Sequence, residues 1–429
     1  MSPRVEAAFT RTFASLRGSR NFRLYLLGHL ISAVGTWMNF TASSWLVLHL
    51  SSSGTALGVN MALMFGPVLL LGAWGGVFAD RFDKRRILIV TASAYGVLSL
   101  VTWSLVVTDI AELWMVYTLS LGYGVVTAFD NPARQSFYVE MVGESRLTNA
   151  VSLNSAAFTG ARIVGPAVAG LLIATVGLSW PFLVDGLSYV AVIGALVALR
   201  PAEMYPHPRS TRERGHLVAG LRYVWRTPEL RRPLIMLAVV FTFAFPFGVL
   251  VPLLAQRTFG GDADTFGALS AMGGLGAFVG AISMANRATR PTLRGLSTWT
   301  VAFGAALVLV GLTPTLWLAF AVMVPLGYVS MSFMITGNTM LQLASRPEAR
   351  GRVMALYGMV FLGSTPIGSP IVGWIAEHMG PRAGFAITGG VAVATGLGAL
   401  WLRRRASAEL PADGADVLPG PPSRGSAAA

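Results

Sequence analysis

The chain has no cysteine, a single lysine among its 32 basic residues and few charges of either sign. Without thiols there is no disulfide framework, thiolate nucleophile or cysteine metal site. Nothing matches Gly-x-x-x-x-Gly-Lys-Ser/Thr, and the one lysine, Lys84, stands among arginines, so no nucleotide-binding loop is present and hydrolysis of ATP by this chain is excluded. The five histidines, at 29, 49, 207, 216 and 378, do not cluster by position. No nucleophile and base constellation is recognisable. Neither a metal, a cofactor nor an enzymatic activity is expected.

Charged residues make up 12% of the chain and hydrophobic ones 54%, with a mean hydropathy of +0.62. A soluble domain carries about a quarter charged residues, so this chain belongs in a bilayer. Windows of about 20 apolar residues place six spans near 22–49, 55–79, 87–107, 112–130, 149–175 and 180–199. Six more follow near 233–256, 264–285, 295–311, 315–336, 352–376 and 383–402. The expected fold is an all-α membrane protein of twelve transmembrane helices.

The net charge of +13 would point to nucleic acid in a soluble protein. Here it reads as orientation. Alternate connections, starting with the N-terminal segment, hold all but three of the 32 basic residues; Arg257 and Arg382 fall in the other connections and Arg162 inside a span. Basic loops stay in the cytoplasm, which puts both termini there and sets nucleic-acid binding aside.

A shift of 203 positions lays Gly160, Gly165, Gly170 and Gly177 on Gly363, Gly368, Gly373 and Gly380, and Phe182, Gly186 and Arg200 on Phe385, Gly389 and Arg403. Two parallel six-helix halves, with a site between them, are a transporter architecture. The chain then divides into an N-terminal segment (1–21), a first bundle (22–199), a linking segment (200–232), a second bundle (233–402) and a disordered tail (403–429). Arginines with Phe9, Phe13 and Leu16 between them suit the first segment to an anionic leaflet. Leu217, Leu221 and Trp225, spaced by four, predict an amphipathic surface helix in the linking segment.

Between the second and third apolar runs lies Gly75 to Arg86, in which Asp80 is followed by Arg81, Lys84, Arg85 and Arg86. One acid facing several cations across a turn can make a cluster that breaks and re-forms as helices slide. A plain orienting loop is the alternative. Ionisable residues within spans are costly and are candidates by default. Arg162 lies mid-span and suggests an anion contact, a carboxylate partner or a fixed packing link. Asp185 is a candidate proton carrier or a shallow hydroxyl-bonded acid, and His29 a titrating or a packing residue. His29, Ser32, Thr36, Asn39 and Ser43 recur at helical spacing on one face, and Ser120, Tyr123, Thr127 and Asp130 form a looser stripe.

Gly76, Asp80, Arg81, Arg85 and Arg86 match the Gly-x-x-x-Asp-Arg-x-Gly-Arg-Arg loop after the second span, so the chain resembles the major facilitator superfamily, with Asp83 at the usual glycine. Asn21 to Leu27, Phe129 to Phe137 and Gly220 to Pro228 are similar to the enterobactin-exporter-like and drug-efflux branch. The resemblance implies pairing of Asp130 with Arg81 or Arg85, and of Asp80 with the start of span eleven. It also implies that Gly165, Pro166 and Gly170 form an antiporter-type motif, and that spans one, four, seven and ten line the cavity. Ser32, Thr36, Asn39, Tyr123, Thr127, Phe241, Phe245, Tyr328 and Met331 are then the cavity candidates. Their aromatic and methionine side chains suit a lipophilic or amphiphilic substrate.

These observations lead to a monomeric, twelve-span transporter of the inner membrane that exports a hydrophobic or siderophore-like small molecule in exchange for protons. The rivals are uptake of a nutrient or metabolite and a transport-inactive sensor or scaffold.

Overall fold

Twelve helical spans run alternately up and down, and the computed structural model describes residues 14–205, 216–287 and 290–408. The expected leaflet contact of residues 1–13, part of the linking segment and the tail beyond 408 lie outside the described residues. Spans one to six are Arg20–Ser51, Gly54–Arg81, Lys84–Val107, Leu113–Val142, Leu147–Val176 and Trp180–Val197. Span seven begins as Pro228–Phe243 and continues through short turns to Thr258. Spans eight to ten are Ala263–Ala285, Leu293–Leu312 and Leu316–Ala344. Span eleven is Pro347–Gly363 and Thr365–Met379, and span twelve Pro381–Ala408. The linking segment carries the helix His216–Arg226, which leaves Leu221 and Trp225 exposed as a surface helix should.

Among the described residues, ten segments are long and apolar enough to cross a membrane. Spans one and four fall short, although they are unbroken helices of 32 and 30 residues. Their hydropathy is diluted by Asn21, His29, Thr36 and Asn39 on one, and by Tyr123, Asp130 and Arg134 on the other. The low hydropathy marks where polar side chains collect. Span four also runs twelve residues beyond the expected end at 130, so Arg134 belongs to a helix and not to a loop.

Prolines inside the spans position the packing. A proline at position i cannot bond the carbonyl at i−4, and three such carbonyls meet a glycine of another span. Pro132 frees the carbonyl of Ala128, which a Cβ on Gly75 would approach to 2.0 Å. Pro166 frees that of Arg162, 3.1 Å from a Cβ on Gly274, and Pro246 frees that of Thr242, 1.7 Å from one on Gly368. At Gly75 and Gly368 only a residue without a side chain lets backbones come this near, and Cα–H donors then face the vacant carbonyls.

The internal repeat corresponds to repeated contacts. Gly165 packs on Val34 and Trp37 of span one, and its counterpart Gly368 on Thr242 and Pro246 of span seven. Gly170 meets Gly267 of span eight, while Gly373 meets Gly54 and Gly58 of span two. The second pair joins the halves.

These approaches between the halves, with Gly274 on Ile163 and Gly363 on Leu69, lie between the midplane and the face opposite the described chain ends. One apolar core is shared across the halves on that side and includes Met61, Val116 and Phe182 with Leu250 and Phe385. Toward the terminal face the first half has a separate core around Phe22, Tyr25, Phe137 and Leu196. Leu70, Trp74 and Phe158 are exposed there. The close approaches between the halves thus gather away from the terminal face.

Candidate functional site

Asp185, at 0% exposure, is the point where four spans of the first half converge. Its Oδ2 accepts from Asn39 Nδ2 at 2.9 Å, Ser99 Oγ at 2.9 Å and Tyr123 Oη at 3.0 Å. Its Oδ1 is buried without a partner and lies against Gly35, where a Cβ would come within 2.7 Å. No cation pairs with Asp185 among the described residues. Three donors soften the cost of a buried carboxylate without cancelling its charge.

A second cluster lies on span four, nearer the terminal face. Arg134 donates through Nε to Asp130 Oδ2 at 2.9 Å and pairs with it again through a second nitrogen. The third guanidinium nitrogen lies 2.7 Å from His29 Nδ1. Thr91 donates to the other oxygen of Asp130 at 2.8 Å. Tyr25 stacks on His29, with ring centroids 5.8 Å apart. A guanidinium is always a donor, so His29 accepts and its ring is neutral.

Tyrosines join the clusters. Tyr95 bonds Thr127 at 2.8 Å, stacks on Tyr189 at 5.3 Å and lies 5.4 Å from the ring of Tyr123. Tyr189 bonds Thr36 at 3.1 Å. Tyr95 and Tyr189 also line a small cavity with His29, Asp130 and Arg134. Polar groups thus continue from Asp185 to His29 through the first half.

Thr36, Asn39, Tyr123 and Thr127 bond to spans three and six within the first half, and Ser32 lines the small cavity beside His29. Ser32 donates to the carbonyl of His29. Phe241 and Phe245 join Phe361 of span eleven at 5.0 and 5.6 Å, together with Phe303 and Tyr357. Tyr328 stands apart, bonded to Ser283 and edge-on to Trp299, and Met331 lies beside Gly280. Sequence reasoning missed Arg134, Thr91, Tyr95, Ser99 and Tyr189. The four-residue step from Asp130 to Arg134 was the available signal; the others are single hydroxyls in apolar spans and carry none.

The signature loop departs from the expected pairing. Asp130 pairs with Arg134, not with Arg81 or Arg85, because the longer span four places Arg134 one turn away. Arg85 instead donates to the carbonyls of Leu196 and Val197 at 2.7 and 2.9 Å, where a cation suits the C-terminus of span six. Lys84 pairs with Glu140 at 2.5 Å. Asp83 caps span three by accepting from the Arg86 amide at 2.8 Å. Its φ of −62° needs no glycine. Asp80 makes no hydrogen bond or ion pair among the described residues, so the expected contact with span eleven is not formed. Arg81 and Arg86 are exposed, and Gly76 is buried in span two.

Arg162 meets no carboxylate. Its guanidinium lies over the Trp37 ring, 5.4 Å from the centroid. Stacking of this kind stabilises by about 2 kcal/mol when desolvated, against roughly 3 kcal/mol for a cation at mid-bilayer. On the opposite face the two basic exceptions cap carbonyls, Arg257 that of Ser52 and Arg382 that of Thr313.

Twelve spans in two repeated halves, with a buried polar network in one half, are the architecture of a transporter. Residues 10–422 match the transmembrane secretion effector family of the major facilitator superfamily, and the chain belongs to it. It is 24% identical over 363 residues to the staphyloferrin A transporter of Staphylococcus aureus, covering 83% of this chain and 89% of that one. It is 26% identical over 372 residues to the enterobactin exporter EntS of Escherichia coli, covering 86% and 88%. The fold is that of the nucleoside transporter NupG, with TM-score 0.70, 11% identity and 90% and 99% coverage. A bacterial homologue of the lysosomal transporter Spinster, solved inward-facing and occupied, superposes with TM-score 0.67, 16% identity and 90% and 96% coverage. The chain is a multi-pass membrane transporter and not an enzyme.

Proposed function

We propose that the chain acts as a monomer in the cytoplasmic membrane, with both termini inside, and exports an amphiphilic, siderophore-like small molecule in exchange for protons. The observation that carries this reading is Asp185, a buried carboxyl with no cation, linked by tyrosines to an Asp130–Arg134–His29 cluster. Orientation is supported by the gathering of basic residues on the terminal face. The substrate class is supported by the siderophore transporters among the relatives and by the aromatic cluster around Phe241 and Phe361.

A proton taken up by Asp185 from the outer side neutralises a fully buried acid that no cation compensates. Moved along the tyrosines to His29, it makes an imidazolium that can no longer accept from Arg134. Arg134 is then repelled, and its hold on Asp130 loosens. Alternating access couples to this step if one end state keeps Arg134 seated and the other does not.

The test is accumulation of siderophores, lipophilic dyes and antibiotics in cells that express the wild type or Asp185→Asn, with and without an uncoupler. Lowered accumulation that both the uncoupler and the substitution abolish is the expected result. Raised accumulation, sensitive to the uncoupler, would reverse the direction to uptake.

A further inference from the structure

Arg162 takes no part in the relay, yet it is the cation set deepest between the halves. It lies near the middle of span five, where Gly165 meets span one and the Arg162 carbonyl meets Gly274 of span eight. Among the described residues no acid approaches its guanidinium, and the one contact it makes is with the Trp37 face. Two further groups are unsatisfied, one on the ring beneath the guanidinium and one two helical turns along span five. Trp37 Nε1 and Asn154 Oδ1 are buried without partners. Asn154, Phe158 and Arg162 follow at four-residue intervals on one face of span five, and the Phe158 ring lies 5.6 Å from that of Trp37.

Each group asks for a complementary one. A planar guanidinium fork suits a carboxylate or a similar flat oxyanion. Trp37 and Phe158 offer aromatic faces to a flat apolar body. Asn154 Oδ1 accepts a hydroxyl or amide hydrogen, and Trp37 Nε1 donates one. We propose that Arg162, Trp37 and Asn154 form the binding site for the anionic end of the transported molecule, an organic anion with an aromatic or otherwise flat body. This rests on the transport reading and names its substrate class.

The full chain in phosphatidylcholine nanodiscs is tested by equilibrium dialysis with 1-naphthoate and its uncharged isostere 1-naphthamide. A hydrogen-bonded charge is worth roughly a tenfold preference for the anion. Arg162→Gln is expected to bring naphthoate down to the affinity of the amide, and Arg162→Lys to keep part of the preference. Equal binding of both probes by the wild type, or a preference undiminished in Arg162→Gln, overturns the site. Should Arg162→Gln not fold, Trp37→Leu decides: both probes must weaken, and unchanged binding overturns the proposal. A lipid phosphate as the true occupant would appear as loss of naphthoate binding when phosphatidylglycerol is added, and that also overturns it.

The two readings fail separately. Absent anion preference beside export that depends on Asp185 removes this site and leaves proton exchange standing. An anion preference that depends on Arg162, in a protein without uncoupler-sensitive flux, does the reverse.

Discussion

Arg134 places one guanidinium nitrogen 2.7 Å from the ring of His29 while two others hold Asp130. The arrangement has one consistent charge state, with the imidazole neutral, because two donors cannot face each other. Protonation of His29 is then incompatible with the seated position of Arg134.

His29→Gln keeps an acceptor for Arg134 but cannot take up a proton. The variant is expected to fold and to keep the Asp130–Arg134 pair, while uncoupler-sensitive export falls at least about tenfold, as loss of a proton-transfer group commonly does. Substrate-driven proton flux in proteoliposomes measures this. Undiminished flux would remove His29 from the relay.

Asp185 separates shape from charge. Asn at this position still accepts from Asn39, Ser99 and Tyr123, so thermal stability in detergent should stay close to that of the wild type. Leu removes the acceptor those three share and sets an apolar branch among them, leaving them only one another and the Phe182 carbonyl; a buried polar group left short of a partner costs about 1–3 kcal/mol. Asp185→Leu is expected to unfold far earlier or not to accumulate. Equal melting temperatures for Leu and Asn would show that the three hydrogen bonds contribute little.

Much of this fold is written in local pattern. Apolar windows, the repeat of Gly165 and Gly170 in Gly368 and Gly373, and the alternation of basic loops each follow from the bilayer acting on nearby residues. The site was less legible because its partners are distant in sequence. Nothing local connects Ser99 or Tyr189 to Asp185, and a lone tyrosine in an apolar span reads as packing. Arg134 was hidden differently: ending span four at Asp130 makes a half-buried helical guanidinium read as a loop cation. The signature loop misled in the same direction, since Arg85 has span six carbonyls to bond in this conformation.

Asp83, at the position the superfamily gives to glycine, tests the loop. Its carboxylate caps span three, so Asp83→Ala should cost about 1 kcal/mol and Asp83→Gly only a few tenths. Denaturation of the reconstituted chain with a helicity readout measures the order. A glycine variant less stable than the alanine one would contradict a capping role, because the φ of −62° suits both residues.

Glu377 bridges the halves on the opposite face. Its carboxylate accepts from Ser53 Oγ at 2.7 Å and from the Thr55 amide at 2.9 Å, so an acid of span eleven sits on the N-terminus of span two, across the boundary between halves. Arg257 of span seven bonds the Ser52 carbonyl beside it. A cleft that opens on that face must break both contacts. With solvent screening, the Glu377 bonds are worth about 1 kcal/mol, or roughly a fivefold change in the open population. The absence of cysteine from the chain makes the measurement direct, since one introduced thiol is the sole labelling site. Met61, 5% exposed in the core shared by the halves, is the position for it. Maleimide should label Met61→Cys several-fold faster when Glu377→Ala is added. Glu140→Ala, which breaks the Lys84 pair on the terminal face, should leave the rate unchanged. Equal acceleration by both would mean general loosening, and no acceleration by Glu377→Ala would place the hold on that face in glycine packing at Gly54 and Gly373 instead.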